Sequence, residues 1–424
     1  MFVNVQSSLY PHRSIANYEH LTEGTVVMTK QERISPKNFL AIARAFAFVG
    51  AMLPAGAAMA DGFTLTSSMT EPRYGASDVL LASGAMSGRV LLAGGFNGST
   101  NLATAVIWNP ADGTFSPGAN NLSAARGFMT TTQLAGATAK ILFADGGNGS
   151  DEDGAFSNTD LYDPATGFFS VGPSTHDPRH NATATRLGNG KVLIAGGITN
   201  DVAHTRLATA ELYDPVANTF TYTGSMHHIR DFQVAVLLPS GDVLIAGGGD
   251  GSGIALNEAE IYSVSNGTFT QLANTMVERR DDATATLLNN GKVLIVGGVN
   301  QDISTGTAEL FDYTNNTFTS IASTIPPRHF HTATLLNDGK VLIAGGLGAA
   351  TDTTYSLTDA QLFDPATNTF TSTGALHVAR FYHTATKLGD GRVLVAGGYS
   401  ANGATATAEV YGSLPDAIFA NGFE

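Results

Sequence analysis

The chain contains no cysteine among its 424 residues, a single tryptophan, and only 14% charged residues. Without Cys, disulfides, thiol nucleophiles and Cys-ligated metal sites are excluded. Basic residues are scarce: 22 Lys and Arg face 36 Asp and Glu, for a net charge of −14. That balance argues against nucleic acid or an anionic lipid surface as a partner. No apolar run is long enough to span a bilayer. What is plentiful is glycine, 48 residues, within a composition that is 43% hydrophobic. So much apolar residue supports a large core and argues against disorder.

Residues 1–60 read as targeting, not fold. Lys30, Arg33, Lys37 and Arg44 precede the apolar run 45-AFAFVGAML-53, and Ala58-Met59-Ala60 forms a small-x-small cleavage site. The expectation is a signal peptide over 28–60, preceded by a non-native upstream extension over 1–27, and a mature chain exported to the periplasm or medium of a bacterium. A short tail, 413-SLPDAIFANGFE-424, follows the last patterned segment.

Between these ends the sequence repeats. A Gly-Gly pair ends an apolar run at 94–95, 146–147, 196–197, 247–248, 297–298, 345–346 and 397–398. Each pair sits in a longer unit, clearest at 328–371: "RHFHTATLLNDGKVLIAGG", a variable stretch, then "DAQLFDPATNTFT". Periods of this length signal radial arrays. Each unit parses into four short strands. An alternating strand follows an Arg, and a turn such as Asn337-Asp338-Gly339 closes a hairpin. The second strand, Lys340 to Ala344, is rich in β-branched residues and suits burial on both faces. A Glu-Leu-Tyr strand and a Thr-Phe-Thr strand complete the unit across an Asp-Pro turn.

These residues resemble the kelch repeat, in the bacterial form related to the central domain of galactose oxidase, over nearly all of 61–411. The resemblance implies an all-β, seven-bladed propeller of four-stranded blades. The fourth-strand aromatic, often Trp in that family, is Phe here: Phe115, Phe169, Phe220, Phe269, Phe318 and Phe370. The seventh unit stops after Tyr411 without a fourth strand. The stretch 61-DGFTLTSSM-69 matches 218-NTFTYTGSM-226, so Phe63 falls where Phe220 does and Met69 where Met226 does. The N-terminal strand is therefore expected to complete the last blade of a propeller spanning 61–412, which removes an open edge.

Antiparallel order places the start of strand one, the end of strand two and the start of strand three on one face. That face carries the long, variable loops and is the expected working face. One Arg opens each unit there: Arg73, Arg126, Arg179, Arg230, Arg280, Arg328 and Arg380. Two readings compete. The arginines could ring the channel mouth and hold carboxylates or sugar acids. Alternatively, most are structural partners of the strand-three residues Asp160, Glu211, Glu260, Glu309, Gln361 and Glu409, meeting them across the Gly pair. The second is favoured for Arg126, Arg179, Arg230 and Arg280. Arg73, whose blade carries Val106 at the acid position, together with Arg328 and Arg380, stays a ligand-binding candidate.

Three residues after the Arg come His331 and His383, with Tyr382 and His329 adjacent. Blades six and seven are thus the most chemically equipped sector, and His331, His383 and Tyr382 join the ligand candidates. Two His without a third ligand make a weak metal signal. The acidic loop at 148–158 offers Asp151, Glu152 and Asp153 as weak calcium candidates, although its spacing departs from a calcium-loop pattern. A galactose oxidase cofactor requires a Tyr–Cys crosslink, which this chain cannot form. The expected function is an exported, non-enzymatic propeller, without a cofactor, that binds a protein or glycan through the Arg/Gly-Gly face. The alternative is a carbohydrate-active enzyme, such as an epimerase, lyase or atypical oxidase, working at the channel mouth.

Overall fold

The structure is a computed structural model. It describes residues 62–412 apart from 137–138, 149–153, 200–203 and 349–352. The expected extension, signal peptide and tail, and the calcium candidates Asp151 and Asp153, lie outside the described residues. Among those described, no helix is long and apolar enough to cross a membrane.

Seven antiparallel four-stranded sheets form the blades of a β-propeller. Blade three is representative: Thr183–Arg186, Val192–Ala195, Ala210–Asp214 and Thr219–Tyr222 pair in sequence order. The first strands are innermost. Each contacts the first strand of the next blade, and Thr384–Lys387 of blade seven returns to Ser77–Leu80 of blade one. Every second strand, from Val90–Ala93 to Val393–Ala396, is buried at all its positions. Its Val, Leu and Ile side chains pack on both neighbouring blades, so each hydrophobic cluster is an interface between blades. On the outer edge, the fourth-strand Phe lies opposite a strand-three aromatic. Phe220 sits 5.0 Å from Tyr213 and Phe269 4.9 Å from Tyr262.

The ring closes as the sequence implied. Phe63–Leu65 pairs with Ala408–Tyr411, with Phe63 opposite Tyr411 and their rings 5.0 Å apart. Met69 is buried with Trp108, Leu394 and Val410 at the seam between blades seven and one. Trp108 also donates from Nε1 to Thr66 Oγ1 at 3.3 Å, so the one tryptophan reads the closure directly.

One register differs from the sequence reading. In blade two the residues equivalent to the Gly pair are Asp145 and Gly146, not Gly146 and Gly147. Ile141–Ala144 is the strand, and Gly147 makes the bridge that Phe96, Ile198 and Gly249 make in blades one, three and four. The first position of the pair has a left-handed backbone in every blade, from Gly94 at φ 68° to Gly397 at φ 66°. Asp145 adopts it too, at φ 62°, a conformation that Asp tolerates better than most side chains. A glycine is normally required because a Cβ would crowd the next blade: at Gly94 it would lie 2.4 Å from the Arg126 carbonyl oxygen. Blade three makes room for Asp145 by carrying Thr175 where the other blades carry a buried Met, Leu or Ile. Thr175 Oγ1 donates to Asp145 Oδ1 at 2.8 Å. Asp145 is fully buried, and burial pushes its carboxyl up to about 7, against the pull of Arg179 and Thr175.

Candidate functional site: the channel mouth

The repeated arginines open the working face, but their side chains turn into the blades. All seven are at most 1% exposed. Arg179, Arg230, Arg280 and Arg380 each donate from one nitrogen to the first Gly carbonyl of their own blade, and from another to the strand-three Glu. The ion pairs are 3.0 Å for Arg179–Glu211, 2.8 Å for Arg230–Glu260, 2.7 Å for Arg280–Glu309 and 2.8 Å for Arg380–Glu409. Arg126 meets Asp160 at 2.8 Å. Each Glu also accepts two backbone N–H groups from the loop before the Arg, as Glu309 does from Val277 and Glu278. A buried ion pair that ties strand one, strand two, strand three and the incoming loop together holds the blade in register.

The three Arg ligand candidates are therefore corrected. Arg380 is an ordinary member of this set. Arg328 pairs with Asp359, two residues before Gln361, and Gln361 Nε2 donates to the same carboxylate at 2.8 Å. Arg73 has no acid on strand three. It donates to Gly94 O at 3.1 Å and to Thr104 O at 3.0 Å, and burial lowers its pKa to about 10 despite Glu71. Thr104 Oγ1 links it onward to Glu71 at 3.2 Å. With their guanidinium groups committed inside the blades, Arg73, Arg328 and Arg380 do not present an anion-binding ring.

The mouth is lined instead by the residues two and three positions after each Arg. The first set is Gly75, Phe128, Asn181, Phe232, Asp282, Phe330 and Tyr382, all left-handed with φ between 51° and 60°. That backbone lets the chain bond from blade to blade around the axis. Phe128 N–H donates to Gly75 O at 2.8 Å, Gly75 N–H to Tyr382 O at 3.0 Å, and Tyr382 N–H to Phe330 O at 3.2 Å. Phe330, Asp282 and Phe232 continue the chain to Asn181, each onto the preceding blade. Their side chains gather at the axis. Tyr382 lies 3.9 Å from Phe330 and 5.0 Å from Phe128 between ring centroids, and Phe232 lies 6.0 Å from Phe330.

Tyr382, His331 and His383 do reach this site. Two cavities open there, of about 230 and 290 Å³. The first is bordered by Asn181, Phe232, Gln233, Asp282, Phe330 and His331, and the second includes Phe128, Tyr382 and His383. The imidazoles also brace the ring: His331 Nε2 pairs with Thr284 Oγ1 at 2.9 Å and His383 Nε2 with Thr332 Oγ1 at 3.0 Å, each in the preceding blade. Burial, followed by the nearby Arg328 and Arg380 charges respectively, lowers both pKa values, that of His383 to about 3, so both rings are neutral. Asp282 is pushed well above the usual carboxylate range, first by burial and then by Asp281 and Asp231. Among the described residues no three His, Asp or Glu groups sit where they could share a metal ion.

Sequence reasoning overlooked Phe128, Asn181, Phe232, Asp282 and Phe330. A usable signal was present: the column holds Gly, Asn and Asp, the residues that tolerate left-handed backbone.

Comparison with known proteins agrees with this architecture. The family model "KLHDC2/KLHL20/DRC7 Kelch-repeats domain" matches residues 179–398. No curated protein matches. A solved structure described as a novel fungal alcohol oxidase with catalytic diversity among the AA5 family, in complex with copper, is 19% identical with a TM-score of 0.66, covering 82% of this chain and 76% of its own. At that identity the likeness is one of fold.

Proposed function

The chain belongs to the KLHDC2/KLHL20/DRC7 Kelch-repeats domain family, and from that premise we propose that it is an exported, non-enzymatic scaffold that binds a protein partner through the channel-mouth face. The observation that carries this reading is the mouth itself. A run of six interblade backbone bonds presents aromatic rings and a few polar groups on the face that also bears the long loops. Aromatic side chains with convergent polar groups are the usual make-up of a recognition site. The buried Arg–Glu pairs supply rigidity and leave no charge of their own at the surface.

Peptide and glycan arrays probed with the purified protein test the proposal. The expected result is selective capture of peptides, lost when the mouth is altered by Tyr382→Ala. Selective glycan capture would transfer the partner to that class. Turnover of any sugar, with or without added metals, would overturn the non-enzymatic reading.

A further inference from the structure

The smaller cavity at the mouth combines features that a protein-binding face does not require. Two aromatic rings, Phe232 and Phe330, border it with centroids 6.0 Å apart. Three other lining residues each carry a buried polar atom that has no hydrogen-bond partner: Asp282 Oδ1, Gln233 Oε1 and His331 Nδ1. Gln233 and His331 are each only 5% exposed. The identity of the Gln oxygen is fixed by its amide nitrogen, which donates to Ala195 O at 2.8 Å. In the neutral imidazole, Nδ1 is an acceptor whenever Nε2 donates to Thr284. Gln233 Oε1 is thus an unmet acceptor, Asp282 Oδ1 is one when ionised and His331 Nδ1 is one in that tautomer, and leaving each one bare inside the protein carries a desolvation penalty. A ligand that relieved them would need several N–H donors and, beside a carboxylate and two π-faces, a positive charge.

Resting on the partner-binding reading above, we propose that this cavity receives a basic side chain of the partner, the guanidinium of an arginine or the ammonium of a lysine, held by Asp282, Gln233 and His331 against Phe232 and Phe330. The size is suitable: about 230 Å³ accommodates the head and part of the stem of such a side chain, but not a folded element. The chain's net charge of −14 draws basic partners toward it. Asp281 of the same blade and Asp231 of blade four, the latter 3.6 Å from Arg206, add negative potential beside Asp282. A cation in the cavity would offset what burial and those two carboxylates impose on Asp282.

The test needs no identified partner. Nα-acetyl-arginine amide and Nα-acetyl-lysine amide are titrated calorimetrically into the full chain, with Nα-acetyl-norleucine amide as the uncharged analogue. The expected result is binding by at least one of the two cations, about tenfold or more above norleucine, weakening as salt rises. Asp282→Asn should reduce it about tenfold, since Asn keeps the left-handed backbone but removes the charge. Phe330→Leu should reduce it several-fold by removing a π-face. If Asp282→Asn fails to fold, as judged by circular dichroism, Phe330→Leu and the norleucine comparison carry the test. Equal affinity for norleucine, no binding of either cation, or full affinity in the folded variants would each overturn the proposal. None of those results would touch the array outcome, so the cation site and the wider binding face can fail separately.

Discussion

Asp145 offers a direct test of whether the blade register has been read correctly. Its carboxyl is fully buried at a position where the other six blades use glycine, and burial raises its folded pKa from the ordinary 3.8 to about 7. A carboxyl raised by folding stabilises the native state fully below its unfolded pKa. That contribution is lost as pH rises through the folded value. The window is therefore pH 4 to 7, and the full penalty, three units at 1.36 each, is about 4 kcal/mol. Between pH 5 and 8.5 the share still to be lost is about 2.5 kcal/mol. Asp145→Asn keeps the acceptor for Thr175 and tolerates the left-handed backbone, but cannot ionise. The variant should therefore gain about 2.5 kcal/mol on the parent between pH 5 and 8.5. Urea unfolding at several pH values, followed by both Trp108 fluorescence and circular dichroism, measures this, and coincident transitions establish that the unfolding is cooperative. A constant offset between parent and variant across the range would refute the argument. It would mean that Asp145 ionises normally and that water, or a tighter approach of Arg179, reaches it.

The other predictions concern the ion pairs, the closure and the glycines. Arg280→Ala should cost about 3–5 kcal/mol, because Glu309 is left charged and buried. Arg73→Ala should cost visibly less, since its blade holds no strand-three acid to abandon; equal urea midpoints for the two variants would contradict this. Phe63→Ala should cost about 3 kcal/mol or more by emptying the slot against Tyr411. Removal of 61–69 should lower the melting temperature further and expose Trp108, and an unchanged melt would refute the closure. Gly346→Ala would place a Cβ 2.9 Å from the His329 carbonyl oxygen at φ 106°, for a loss of about 2–3 kcal/mol. Gly389→Ala, with nothing within 4 Å, should be near neutral, and similar melts for both would count against the packing described.

Much of this architecture could be read from the sequence because repetition averages out local ambiguity. The strand-two runs, the Arg-to-acid spacing and the echo of Phe63 in Phe220 each rest on several equivalent positions, and the structure places them in equivalent environments. The failures occurred where one blade departs from the rest. Gln361 misled because the acid in blade six comes from Asp359, two residues earlier on the same strand approach, and strand alternation does not show which side chain turns inward there. The Gly146-Gly147 pair misled because a second glycine follows the true position and hides Asp145. The mouth was missed for a different reason. Its residues are identified by a backbone conformation; Gly75, Asn181 and Asp282 hint at it, but a Phe or Tyr in sequence gives no sign that it is left-handed.

That conformation bears on what the mouth is for. The run of interblade bonds is accompanied by positive φ two residues after each Arg, and Gly75 in blade one adopts that conformation without strain. If closure of the ring were the whole purpose, glycine would suit every blade. Yet Phe128, Phe232, Phe330 and Tyr382 hold large side chains in the same conformation, at φ 51–52°, each at a cost of about 1–2 kcal/mol. Mutual stacking offsets part of that cost, as between Tyr382 and Phe330. Stacking does not explain Asp282, whose Oδ1 is buried without a partner and whose replacement by glycine or asparagine would relieve the ring. Strain at one turn and an unmet carboxylate at the next, in consecutive blades around one cavity, are better accounted for by something that enters the mouth than by the requirements of the fold.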